Sequence, residues 1–60
     1  MLVVKAWHGG YYTGKFEVNG VVIMISHTDQ IEDAMKFKTE EEIKEELKNV
    51  KNYNYDIEEV

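Results

Sequence analysis

TEEEIKEELKNV, residues 39–50, is the only stretch of this chain with clear helical periodicity, and the remaining segments are arranged around it. Ile43, Leu47 and Val50 recur at i, i+4 and i+7 and share one face of a helix. Thr39 with Glu42 reads as a capping box, in which the threonine oxygen takes the N3 amide and the glutamate reaches back to the N-cap amide. Glu40, Glu41 and Glu42 suit the positive end of the helix dipole, and Lys48 and Lys51 its negative end. Glu40–Lys44 and Glu45–Lys48 pairs add support along the exposed side. The apolar stripe is narrow, so the helix needs a surface to lie on.

Upstream, KFEV, Asn19-Gly20 and VVIMIS predict a β-hairpin, because Asn and Gly both tolerate the positive φ of a type I′ turn. A two-residue loop pairs Val18 with Val21, Glu17 with Val22, Phe16 with Ile23 and Lys15 with Met24. One face then carries Phe16, Val18, Val21, Ile23 and Ile25, the expected core beneath the helix. The other carries Lys15, Glu17, Val22 and Met24.

Residues 2–7, LVVKAW, predict a first strand, with Leu2, Val4 and Ala6 on one face and Val3, Lys5 and Trp7 on the other. His8-Gly9-Gly10 breaks it. His27-Thr28-Asp29 is a loop, a short turn runs through Ala34, and Ala34 to Phe37 has the length of a short strand. YDIEEV, from Tyr55 to Val60, is a last strand with Tyr55 and Ile57 inward. The expected architecture is one α+β domain over residues 1–60: a small, twisted, mostly antiparallel sheet in the order β-β-β-(β)-α-β, with one helix across one face. Leu2, Val4, Met35, Phe37, Ile43, Leu47, Val50, Tyr55 and Ile57 join the hairpin residues in the expected core.

Sixty residues leave a small core, and without cysteine neither a disulfide nor a thiolate zinc site can reinforce it. The charge is uneven. Residues 1–28 carry Lys5 and Lys15 against Glu17, whereas the rest carries five lysines against eleven acids, for a net charge of −5 overall. Such a balance opposes direct nucleic acid binding. All seven basic residues are lysine, so the bidentate arginine fork is missing as well. No apolar run is long enough to span a membrane, and MLVVKAW lacks the pattern of a signal peptide, which together point to the cytoplasm.

His8 and His27 are the only imidazoles, and their spacing fits no metal motif, so they read as loop histidines. There is no nucleophile elbow, P-loop or dinucleotide fingerprint. Neither an enzyme, a cofactor nor a bound metal is therefore expected. Two surfaces are candidates for binding. Val3, Trp7, Val22 and Met24, extended by Tyr11 and Tyr12, would form an apolar interface on the sheet face away from the helix. Glu40, Glu41, Glu42, Glu45, Glu46, Asp56 and Glu58 would form an acidic side, able to occupy the basic groove of a nucleic-acid-binding protein.

Gly-Gly-Tyr-Tyr-Thr-Gly at residues 9–14, the run from Ile31 to Glu42 and the ending from Tyr55 to Val60 resemble small proteins encoded by phages and prophages of Gram-positive bacteria. The resemblance implies a protein that binds and blocks a host protein, including nucleic-acid-handling and CRISPR defence machinery. The expectation is thus an inhibitor using its acidic helix side against a host protein. The alternative is a homodimeric assembly module using the apolar sheet face.

Overall fold

Asn19 and Gly20 adopt φ values of 52° and 79°, the positive pair that a tight I′ hairpin demands. In the computed structural model, which describes every residue from Met1 to Val60, this turn joins β2 (Tyr11–Val18) to β3 (Val21–Thr28). With β1 (Leu2–Ala6) and β4 (Tyr55–Glu59) they form an antiparallel sheet in the order β3-β2-β1-β4. One helix, α1 (Glu40–Glu46), completes the expected α+β fold. No helix is long and apolar enough to cross a membrane.

The helix starts where the sequence predicts. Thr39 is extended, and its hydroxyl accepts the Glu42 amide at 3.2 Å. The Glu42 carboxylate instead takes the amide of Lys38 at 2.6 Å, one residue before the cap. Only seven residues are helical, and Leu47 to Asn49 turn away rather than continuing to Val50. Of the two expected pairs along the helix, Glu45–Lys48 forms at 2.7 Å and Glu40–Lys44 does not.

Between β1 and β2 the sheet splays. Their pairing is confined to Lys5 and Tyr11, and the segment Met35–Phe37 enters the gap. Met35 donates to the Tyr12 carbonyl at 3.0 Å, and Phe37 exchanges both backbone bonds with Leu2 at 2.7 and 2.8 Å. The expected short strand over Ala34 to Phe37 is therefore a single bridge wedged into the sheet. Its ring completes a core of Val4, Tyr12, Phe37, Ile43 and Leu47, against which Leu2, Ile25, Met35, Val50, Tyr53, Tyr55 and Ile57 pack.

The largest departure from the sequence reading lies in the hairpin. Val18 pairs with Val21 and Glu17 with Val22 as expected, but Phe16 then pairs with Met24 and Lys15 with Ile25. Ile23 is left over on β3, and Thr13 on β2. Each extra residue reverses which face the rest of its strand presents. Lys15 and Glu17 consequently point to the helix side, where they meet Glu46 and Asn49. Phe16, Val18 and Val21 point to the opposite side, and these three, with Ile23, are exposed instead of forming the core beneath the helix.

Candidate functional site

The part of the hairpin beyond the helix carries an apolar surface. Phe16, Val18, Val21 and Met24 share the face away from the helix, and Ile23 lies at the bulge beside them. Phe16 is 60% and Met24 62% exposed, unusual for side chains of this size. β3 is also an edge strand, so one row of its backbone groups is unpaired.

This face holds no charge from Gly14 to Ser26, because the two ionisable residues of the hairpin are turned away from it. Lys15 donates to the carbonyl of Glu46 at the helix C-terminus and lies 3.0 Å from the Glu17 carboxylate and 3.3 Å from that of Glu46. Burial works to lower the pKa of Lys15, but the hydrogen bonds to Glu17 and Glu46 outweigh it and hold the ammonium above its ordinary value. The same bond to Lys15, then one from Asn49, holds Glu17 below the usual carboxylate range. On the helix side of the tip, Gly20, Val21, Val22, Lys48, Asn49 and Lys51 line an open groove of about 410 Å³.

The apolar interface expected from the sequence does not form as one surface. Val3 is fully buried: it pairs with Glu58, and Tyr11 from β2 reaches over β1 to within 3.5 Å of that carboxylate. Tyr12 is fully buried on the helix side, with its hydroxyl donating to Glu46 at 2.7 Å. Burial first, and then this bond, raise its phenol above the ordinary value. Val22 pairs with Glu17 on the helix side, and Trp7 stands 68% exposed beside Tyr53. Met24 alone of that set belongs to the exposed hairpin face. Phe16, Val18, Val21 and Ile23 were invisible as surface residues because alternation without bulges places them in the core.

The acidic side is divided as well. Glu40 and Glu41 are exposed and make no ion pair, whereas Glu45 is held by Lys48, whose hydrogen bond lowers its pKa. Glu42 caps the helix, and Glu46 is occupied by Tyr12 and Lys15. Asp56 and Glu58 pair with Lys5 and Val3 on the sheet face opposite the helix, where Glu58 lies 3.8 Å from the Lys5 ammonium. The seven carboxylates therefore do not present a single surface.

The structure also gathers residues that the sequence separates. His8 and His27 meet edge to face with ring centroids 4.5 Å apart, and His27 stacks on Tyr53 at 5.8 Å. His27 Nε2 and the Tyr53 hydroxyl are 2.7 Å apart, and His8 Nδ1 accepts the Gly10 amide at 3.1 Å. Burial, then the neighbouring His8, lower the pKa of His27, and burial raises that of Tyr53. His27 is thus the penultimate residue of a strand rather than a loop histidine. Nothing in the spacing of His8, His27 and Tyr53 along the chain announces this cluster. Comparison of the chain with protein-family models, with curated proteins and with solved structures found no match.

Proposed function

We propose that this protein acts by binding another protein, and that the apolar face of the β2–β3 hairpin is the surface that does so. The observation that carries this reading is the exposure of Phe16, Val18, Val21, Ile23 and Met24 together on one projecting hairpin. Apolar side chains left in water add little to folding, whereas burying each of them in a complex is worth on the order of 1 kcal/mol or more. The phage-like sequence pattern favours a host protein as the target, with the bound protein blocked by occupation of its surface.

The test separates stability from binding. Replacing Phe16, Val21 and Met24 together by threonine should change the free energy of unfolding by no more than about 1 kcal/mol in total. The same variant should fail to retain whatever protein the wild type captures from a nuclease-treated Gram-positive lysate. A loss of stability well beyond that figure would mean that these side chains hold the fold together, and the reading would fail.

A second reading is favoured by one observation. Glu40 and Glu41 are exposed on the first turn of α1 and have no cationic partner. They are free to meet a basic, nucleic-acid-handling protein, in line with the acidic balance of the chain. Here Glu40→Lys with Glu41→Lys should weaken capture and make it less sensitive to salt. Unaltered retention across a salt gradient would remove the acidic version.

A further inference from the structure

We propose that the two histidines form a proton-released clasp at one end of the sheet. Uptake of a proton by the His8–His27 pair opens the turn after β1 and parts the two halves of the sheet there, while each half keeps its own pairing.

The sheet has a seam. β2 and β3 are paired along their length, and so are β1 and β4, but β1 meets β2 only at Lys5 and Tyr11. Met35–Phe37 fills part of the gap. Beyond Lys5 and Tyr11, side chains take over. His27 belongs to β3, in the hairpin half, whereas His8 follows β1 and Tyr53 precedes β4, in the other half. His27 meets both: its ring lies 4.5 Å from that of His8, and its Nε2 lies 2.7 Å from the Tyr53 hydroxyl. The pair therefore spans the seam, where a local opening breaks few backbone bonds.

One atom makes the clasp sensitive to protons. His8 Nδ1 accepts the Gly10 amide at 3.1 Å, so this nitrogen carries no hydrogen in the closed form. A proton added there sets N–H against N–H and ends the bond. The His8 ring is packed so closely on Gly10 that a Cβ at that position would lie 2.8 Å from its Cε1. Gly10 is buried, and an amide stripped of its acceptor there needs water, which only an opened turn admits. The His8 side of the pair is exposed, so protons reach it from solvent.

No neighbour offsets the added charge. Every ion pair of the molecule uses the N-terminus or a lysine, so neither imidazole has a carboxylate partner. Trp7 stands edge-on to His8 and is uncharged. Tyr53 stacks on His27, with Tyr12 and Tyr55 packed behind it, and Tyr12 leads on to Glu46 with Lys15 beside it. Burial raises the phenols of Tyr53 and Tyr12, which stay neutral. Burial first, and then His8, hold His27 below its ordinary 6.5. The closed form thus binds protons less readily than the open one. The clasp is shut above about pH 6.5 and is released as the pH falls below that value.

Amide hydrogen exchange of the full chain tests the proposal, followed residue by residue by NMR from about pH 8 to about pH 5 and corrected for the intrinsic pH dependence of exchange. Opening at the Gly10 and Trp7 amides should become more frequent on acidification, by up to about tenfold per pH unit for each proton taken up. Amides bonded within the β2–β3 and β1–β4 pairs should keep their protection. His8→Asn offers an oxygen to the same amide two residues on without titrating, and should weaken the pH dependence. His8→Asn combined with His27→Gln should abolish it. Equal protection of Gly10 at both ends of the range overturns the clasp. So does a rise shared by every amide of the sheet, which marks global unfolding, or a rise that His8→Asn leaves unchanged.

Discussion

Tyr12 and Phe16 lie four residues apart on one strand, yet one is fully buried and the other mostly in water. The base of the hairpin and its tip share a backbone ladder, and the tip is the more apolar of the two. They differ in which face their rings occupy: the extra residue at Thr13 reverses the faces of β2, so Tyr12 lies on the helix side and Phe16 on the opposite, uncovered side. In a domain this small, the fate of an apolar side chain follows strand parity more than its hydrophobicity.

That contrast can be broken or sharpened by substitution. The largest effect is expected at the base: Tyr12→Ala should cost about 3–5 kcal/mol, comparable with the whole stability of so small a domain, and chemical denaturation should show a chain largely unfolded. Lys15→Met should cost less, about 1–3 kcal/mol, because it leaves the Glu46 carbonyl and carboxylate with one partner fewer. Thr39→Ala, which removes the hydroxyl from the helix cap, should cost about 1 kcal/mol in the same measurement.

A pH effect comes next. His27 is held below its ordinary pKa of 6.5 in the fold, by burial first and His8 second. The unfolded chain therefore binds the proton more readily, so stability is fully present above about pH 6.5 and falls as the pH drops through that value. Urea midpoints measured on either side should show the loss, and His27→Gln should flatten it. An equal slope in that variant would assign the dependence to other groups.

At the tip the expected change is smallest. Phe16→Thr should alter the unfolding free energy by about 0.5 kcal/mol or less. A cost near that of Tyr12→Ala would erase the distinction between the two ends, and with it the case for a docking face.

Part of the candidate site was legible in the chain. The apolar residues of the hairpin are evident, and so is the turn that joins its strands. Their exposure was not, because alternation with a period of two puts Phe16, Val18 and Val21 on the face of Ile25, and no residue of the stretch announces a bulge. Glu46 looked like any other helix-surface carboxylate until Tyr12 and Lys15 were seen to bind it.

What the sequence by itself determined is local: the Thr39 cap, the Asn19-Gly20 turn, the identity of the four strands and the single helix. Each rests on interactions within a few residues, between a side chain and a neighbouring amide or in the φ preference of two turn residues. The tertiary structure decided where the sheet splays to admit Phe37, where Thr13 and Ile23 shift the register, and that His8 meets His27. These depend on groups distant in the chain competing for one small core. The exposed, uncharged hairpin face is what that competition left uncovered.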